Sequence, residues 1–416
     1  MEFRIPAEVL EECLSTLKAF VYKPSNDASM YAMSAAHITA DADADTVTFV
    51  GNNPSQRLSF SVAANVSESG EVLSPVSDFA TALSTIADKA EVVRVVTGDT
   101  SLTIHSKTVS VEVPALDVAS VRVRPKAPKV REGDMLSITV KAEALPTAFA
   151  RALPGGQGSE FPQMLMWVND DELCLMTLSR AGASFASTSG AKVSGSAALV
   201  TWEAETLRRI VGLCGGADEV KIAQDEGPDG EPAAEFTVTV KGKDTTFIVE
   251  QTRATGDPAY EQARSKIIQQ AGKIKESAVT TVTVKCGDIT RALESTGRVR
   301  SIGRATPDAL ENANLSMSDE ALLTVWLPNE SFSEEIGGAK AAGALPRDID
   351  TSATRALSVL HTLGADAKVT LHIPAGNGDR TVYALLTTQD TTFDAGDLPM
   401  SGYWALIGVS DKPSKK

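Results

Sequence analysis

The chain has 416 residues, 43% apolar and 22% charged, the proportions of an ordinary globular protein long enough for about two to four domains. A formal net charge of −15 excludes a protein that coats nucleic acid with its general surface, so DNA could be met only through a restricted patch. No apolar run approaches the ~18 residues that cross a bilayer. Met1-Glu2-Phe3-Arg4-Ile5 leads into a strand rather than a secretory leader, and Cys13, Cys174, Cys214 and Cys286 are too scattered for a zinc site, so buried thiols in a cytoplasmic protein are expected.

In chain order, Phe3-Arg4-Ile5 alternates as a strand and feeds a helix with Leu10 and Leu14 one turn apart. Strand patterns follow at His37-Ile38-Thr39-Ala40, Thr46 to Val50 and Leu58 to Val62. Asp41-Ala42-Asp43 and Gly51-Asn52-Asn53-Pro54 break them with turn compositions. A second helix runs from Ser77 to Lys89 with Leu83 and Ile86 on its stripe. After it come a strand at Val92 to Val96, an acidic turn at Gly98-Asp99 and a strand at Ser101 to Ile104. Val109 to Val113 closes the unit, and Arg124-Pro125-Lys126-Ala127-Pro128-Lys129 reads as an extended basic linker.

This order returns twice. Thr139-Val140 feeds a helix with Leu145 and Phe149, and Thr283-Val284 feeds one with Ile289 and Leu293. In all three copies these residues fall five and nine positions after the last strand residue. The second helix returns at Trp202 with Leu207, Ile210 and the turn Gly216-Ala217-Asp218. It returns again at Ser352 with Leu357, Leu360 and the turn Gly364-Ala365-Asp366. Joint recurrence of apolar spacing and turn placement means repeated structural units. The fold class is therefore α+β, three tandem repeats of two helices on antiparallel sheet, over residues 1–124, 135–254 and 279–410. Asp225 to Pro232 is expected to be an acidic hairpin tip, Gly256 to Glu276 a connector, and Asp411 to Lys416 a polar tail.

No catalytic constellation emerges, and neither an enzyme nor a cofactor or metal is expected. His37, His105, His361 and His372 form no i, i+4 pair with each other or with a carboxylate in a metalloenzyme pattern. Gly155-Gly156-Gln157-Gly158-Ser159 lacks the Gly-Lys-Ser/Thr that grips phosphates, and Gly242-Lys243-Asp244-Thr245 has no glycine loop before it. Both read as turns. There is no Gly-x-Ser-x-Gly elbow.

What remains are basic residues near helix ends: Lys18, Lys23, Arg151, Arg208, Arg209, Arg298, Arg300, Arg304 and Arg355. Each alone reads as a solvated complement to a helix dipole, and Glu8, Glu11, Glu12, Glu203 and Glu205 dilute any basic stripe. Repetition carries the other reading. If homologous helices of every repeat face one surface, these charges converge on it and meet phosphates without reading bases.

Four local patterns then resemble one family. They are Met1-Glu2-Phe3 with Leu10 and Leu14, Val113-Pro114-Ala115-Leu116, Met164-Leu165 followed by Asp170-Asp171-Glu172-Leu173, and Asp257-Pro258-Ala259-Tyr260. Together they resemble the bacterial sliding clamp, the beta subunit of DNA polymerase III, over nearly the whole chain. The resemblance implies a ring-forming head-to-tail homodimer that encircles duplex DNA in the cytoplasm, on the nucleoid. It further implies a clamp that tethers polymerase and clamp-loader peptides without catalysis. Helix arithmetic agrees with a dimer: at ~9 Å per helix, six helices close a ring ~17 Å across and twelve one ~35 Å across. After a helix radius of ~5 Å on each side, only twelve leave room for a duplex.

The resemblance also implies an apolar peptide pocket between the second and third repeats, made by Phe161, Thr177, Leu178, Pro258, Trp404 and Leu406. Two segments depart from the family pattern. Thr177-Leu178-Ser179-Arg180-Ala181-Gly182 stands where the family has Thr-Asp-Gly-His-Arg. The strand Tyr403 to Gly408 replaces a Met-Pro-Met ending. Trp404 and Leu406 could equally be core of a terminal strand. A clamp-like protein that binds partners without encircling DNA, an inhibitor or decoy, is the alternative function.

Overall fold

The computed structural model describes residues 1–23, 31, 33–53, 55–86, 91–116, 135–156, 159, 162–179, 182–195, 199–226, 232–253, 258–302, 312–317, 323–327, 332–343, 349–375, 382–393 and 400–410. The basic linker at 124–129, the polar tail at 411–416, Phe161, Arg180, Asp257 and Arg304 lie outside them. The chain divides into two compact units. One comprises Met1–Glu143, Lys192–Ser196 and Thr206–Ala254, and the other Ala144–Ala191, Ala197–Glu205 and Thr255–Lys416.

In the first unit, Leu10, Leu14 and Leu17 bury one stripe of α1 (Ala7–Lys18), which packs against α2 (Val76–Ile86). A five-stranded antiparallel sheet runs in the order Asn65–Glu68, Glu2–Pro6, Val92–Thr97, Ser101–His105, Ser110–Pro114. Its buried Phe3, Ile5, Val93, Val95, Leu102 and Ile104 alternate with outward residues, the period of a half-buried strand. A nine-stranded sheet carries strands of the first two expected repeats. They meet where Thr246–Arg253 pairs with Arg57–Ala63, in the register Ile248 to Ser59, Val249 to Leu58 and Glu250 to Arg57.

The second unit contains α3 (Ala144–Ala152), α5 (Pro258–Ser277), α6 (Cys286–Ile302) and α7 (Ala353–Leu360). Helix α4 (Ala204–Gly212) begins in it and continues in the first. A thirteen-stranded antiparallel sheet again joins two expected repeats: Gly182–Ser189 pairs with Tyr403–Ser410, placing Phe185 opposite Trp404 and Ala183 opposite Leu406.

The fold is α+β with the repeated helix pattern. Leu10, Leu14, Leu145, Phe149, Ile289 and Leu293 are all buried, as their common offset predicts. Leu83, Leu207, Ile210 and Leu360 are buried too, whereas Ile86 and Leu357 are half-buried.

Two segments are more regular than their composition suggests. The segment read as a connector is mostly the twenty-residue helix α5, buried through Ile268, Ala271 and Ile274. Ala, Arg, Lys and Gln are strong helix formers, and their polarity concealed a narrow apolar stripe. Asp225 is not in a hairpin tip. It lies within the strand Ala217–Glu226 at 2% exposure, Glu226 pairs with Pro232, and residues 227–231 of the expected tip lie outside the described residues.

Candidate functional site

The basic residues fall in both units. In the first, Lys18 ends α1 and is exposed, as is Lys23 beyond it. Arg208 is exposed on α4, while neighbouring Arg209 is half-buried and donates to Gln56 Oε1 at 3.3 Å. Gln56 is itself fully buried, its amide donating to the Thr206 carbonyl at 3.4 Å. Arg209 thus serves a structural contact as well as carrying a surface charge.

In the second unit Arg298 is 81% exposed on α6, 3.8 Å from Glu294 one turn earlier. Arg300 lies on the same helix. Helix α6 packs beside α7, and His361 just after α7 meets Glu294 at 3.0 Å. Arg151, in the last turn of α3, is half-buried with Nε shielded from solvent and, among the described residues, without a hydrogen-bond partner. Arg355 occupies the first turn of α7, where the dipole disfavours a cation, so dipole complementation does not explain it.

The predicted pocket residues divide across the sheet. Thr177 and Leu178 are consecutive in a strand and must point to opposite faces. Thr177 is fully buried, and its hydroxyl donates to the carbonyls of Ala152 and Leu153, pinning the 3-10 turn Leu153–Gly156 to the sheet. Any Cβ on Gly155 would run into the backbone of Thr177 and Ser184, so this turn requires glycine. Leu178 packs on the opposite face, against the cluster that contains Trp404.

Trp404 is 0% exposed and stacks on Phe185 at 5.6 Å between ring centroids, 15° from parallel. Leu406 is 4% exposed and reaches a small cleft lined also by Pro154, Ser179, Gly182, Arg355 and Val359. Pro258 is exposed as the first residue of α5. The cleft therefore combines Leu406, expected in the pocket, with Arg355, expected on a DNA face. Sequence reasoning missed Trp167, Phe185 and Arg264, whose guanidinium sits 5.0 Å from the Trp167 ring centroid. The signal available was the mixed Arg, Lys and Ile run of α5.

Titratable groups here are structural. Burial pushes the Cys13 and Cys174 thiols up to about 12 and Cys214 up to about 11, which keeps them protonated and unreactive. Burial likewise holds the Tyr403 phenol above its usual range and His372 below its own, with Lys275 adding to the latter. Among the described residues, no three His, Cys, Asp or Glu side chains are grouped to hold a metal ion.

Comparison with solved structures places the architecture. Over 99% of this chain and all of the other, it is similar to the beta subunit from DNA polymerase of Streptococcus pyogenes, at TM-score 0.73 and 12% identity. The sliding clamp from Pseudomonas aeruginosa bound to griselimycin superposes at TM-score 0.74 and 15% identity, covering 98% of this chain and 99% of that one. The DNA polymerase sliding clamp from Bacillus subtilis gives TM-score 0.73 at 14% identity, with 98% of each chain covered. No protein-family model and no curated protein sequence matches. At these identities the likeness establishes the sliding-clamp fold.

Proposed function

We propose that the chain is a DNA sliding clamp: a head-to-tail dimeric ring that encircles duplex DNA and tethers a polymerase, without chemistry of its own. The observation that carries this reading is the end-to-end superposition on sliding clamps, 99% of this chain on 100% of another. The recurrence of three repeats, proposed as 1–124, 135–254 and 279–410, supports it from the sequence. Edge strands support it too. Among the described residues Ser110–Pro114 ends one sheet in the first unit and Ser333–Ile336 ends one in the second, and such an edge is the natural seat of a second copy.

Exposed Lys18, Lys23, Arg208 and Arg298 are the leading phosphate contacts, with Arg151, Arg209, Arg300, Arg304 and Arg355 as further members. Such contacts make binding independent of sequence and weaker with salt. The cleft holding Leu406 and Arg355 is the proposed seat for polymerase and loader peptides. Soluble, nucleoid-associated action in the cytoplasm follows from the same reading.

The test is retention on circular DNA. A clamp stays on the circle and slides off once it is linearised, and light scattering at micromolar concentration gives a dimer. A strict monomer that is released equally from both DNA forms would sink the ring. The second reading, a partner-binding protein that does not encircle DNA, draws on the net charge of −15 and on Arg298 lying beside Glu294. It expects peptide binding with no retention.

A further inference from the structure

The cleft between the 3-10 turn Leu153–Gly156 and α7 has a chemistry of its own. Ser184 lies on the sheet face opposite the Phe185 and Trp404 stack, because neighbouring strand residues point to opposite sides. It pairs in register with Thr177, so the two side chains share that face, and the Thr177 hydroxyl is already engaged by the turn. Ser184 is 0% exposed and lines the cleft, yet its Oγ has no hydrogen-bond partner among the described residues. A buried hydroxyl left unpaired is costly, and an acceptor brought by a ligand removes that cost.

The charges point the same way. Arg355 lines the cleft from the first turn of α7, where the helix dipole opposes a cation. Beside Ser184 stands Tyr403, whose phenol burial keeps protonated, and Arg151 adds a second positive charge near it. Among the described residues that line the cleft there is no Asp or Glu, in a chain with 54 of them against 39 Lys and Arg. Pro154, Val359 and Ile407 supply apolar walls. The empty space is about 270 Å³ with its solvent-facing part included, below the range of pockets for drug-sized ligands, so it suits one side chain or chain end.

We propose that this cleft recognises a carboxylate of a bound peptide, which meets Arg355 and Ser184 while the apolar residue beside it lies on Pro154, Val359 and Ile407. Bonds from a guanidinium to a carboxylate are charge-assisted and about twice as strong as neutral ones. The inference rests on the reading of this cleft as the peptide seat and names the group that the peptide must carry. It assigns Arg355 to the peptide in place of DNA.

The probes are fluorescein-labelled Leu-Asp-Leu-Gly amide and its isosteric Leu-Asn-Leu-Gly amide, titrated into the full chain and followed by anisotropy. The Asp peptide should bind at least about tenfold tighter at low salt, and the advantage should shrink as salt screens the pair. Arg355→Gln should bring the two affinities within about twofold, with Arg355→Lys keeping part of the difference. Labelled Leu-Asn-Leu-Gly with a free terminal carboxylate tells the two sources of the group apart. Binding tighter than that of its amide assigns the cleft to a chain end, and equal binding assigns it to an acidic side chain. Equal affinity of all three peptides for the wild-type chain, or no saturable binding below about 1 mM, overturns the proposal whatever the variants do. Retention on circular DNA, measured on the same chain, separates the two ideas. A retained clamp that binds the peptides equally loses only this inference, and a discriminating chain that is not retained loses only the ring.

Discussion

Two strand pairs join the expected repeats by the same antiparallel geometry, and a buried ion pair sets one apart from the other. In the first unit the seam carries that ion pair beside an apolar stretch: Glu250, opposite Arg57, accepts from its guanidinium, with side-chain exposures of 4% and 15%, while buried Val249 faces Leu58 and Phe60 packs on Phe247. Gln56 and Arg209 extend that polarity to α4. In the second unit the seam is aromatic, Phe185 stacked on Trp404 beneath α5. A buried ion pair gains little net free energy, because desolvating both charges offsets their attraction, but a mismatched register leaves a charge unpaired. Stacked aromatics gain from area and from dispersion, which ask for close packing and not for a partner of opposite charge. The ion pair therefore specifies its register by partner identity, the aromatic stack by volume.

Volume is the first thing to attack. Trp404→Ala should cost about 3–5 kcal/mol in denaturant unfolding, through lost burial and the cavity left behind. A loss below about 1 kcal/mol would mean that the site collapses freely and is not core.

At the polar seam, Glu250→Ala should cost about 3 kcal/mol, because it leaves Arg57 buried without its carboxylate. Replacing both, Arg57→Met with Glu250→Leu, should restore most of that stability. If the double variant is as weak as the single one, the pair contributes more than the avoidance of an orphan charge.

The arginines of α4 give a smaller and more selective effect. Arg208→Glu should lower retention on circular DNA roughly tenfold at low salt and leave unfolding unchanged, since the side chain is exposed. Arg209→Glu should also destabilise the chain by about 1 kcal/mol, because it gives up the bond to buried Gln56. Equal behaviour of the two variants would remove the distinction between surface charge and seam.

The smallest effects are pH-dependent and run in opposite directions. Buried Asp225 accepts from the Thr237 hydroxyl at 2.7 Å, and burial, with Glu250 and Glu235 nearby, raises its carboxyl above the usual aspartate range. Below that range both folded and unfolded chains are protonated and the site is neutral to stability. As pH rises through it, the unfolded chain ionises first and stability falls. Asp225→Asn should flatten that slope in thermal melts from acid to neutral pH. His372, which meets Thr387 Oγ1 at 3.1 Å in the second unit, is held below its usual value by burial. Stability there falls as pH drops below about 6.5, where the unfolded imidazole takes up its proton first. His372→Gln should remove that acid-side loss. A native chain whose melting is flat on both sides would contradict both assignments.

The sequence by itself determined the repeated helices. Leu10 and Leu14, Leu145 and Phe149, and Ile289 and Leu293 hold one offset from their strands, and burial of a helical stripe is a local, periodic demand. It did not determine α5, whose stripe is too narrow to stand out in a Lys- and Gln-rich run and becomes apolar burial only against Trp167 and Trp404. Strand alternation was legible, but which face of the terminal strand is covered depends on that helix. The predicted residues were therefore split between two faces, with Thr177 under the 3-10 turn, and Leu178, Trp404 and Leu406 in one cluster under α5. The polar seam was equally hidden, because Arg57 and Glu250 stand 193 residues apart and neither has a local reason to be buried. Periodicity reports what a segment needs from its own neighbours, whereas pairing between distant segments is chosen by the whole fold, where desolvation and shape are shared among elements.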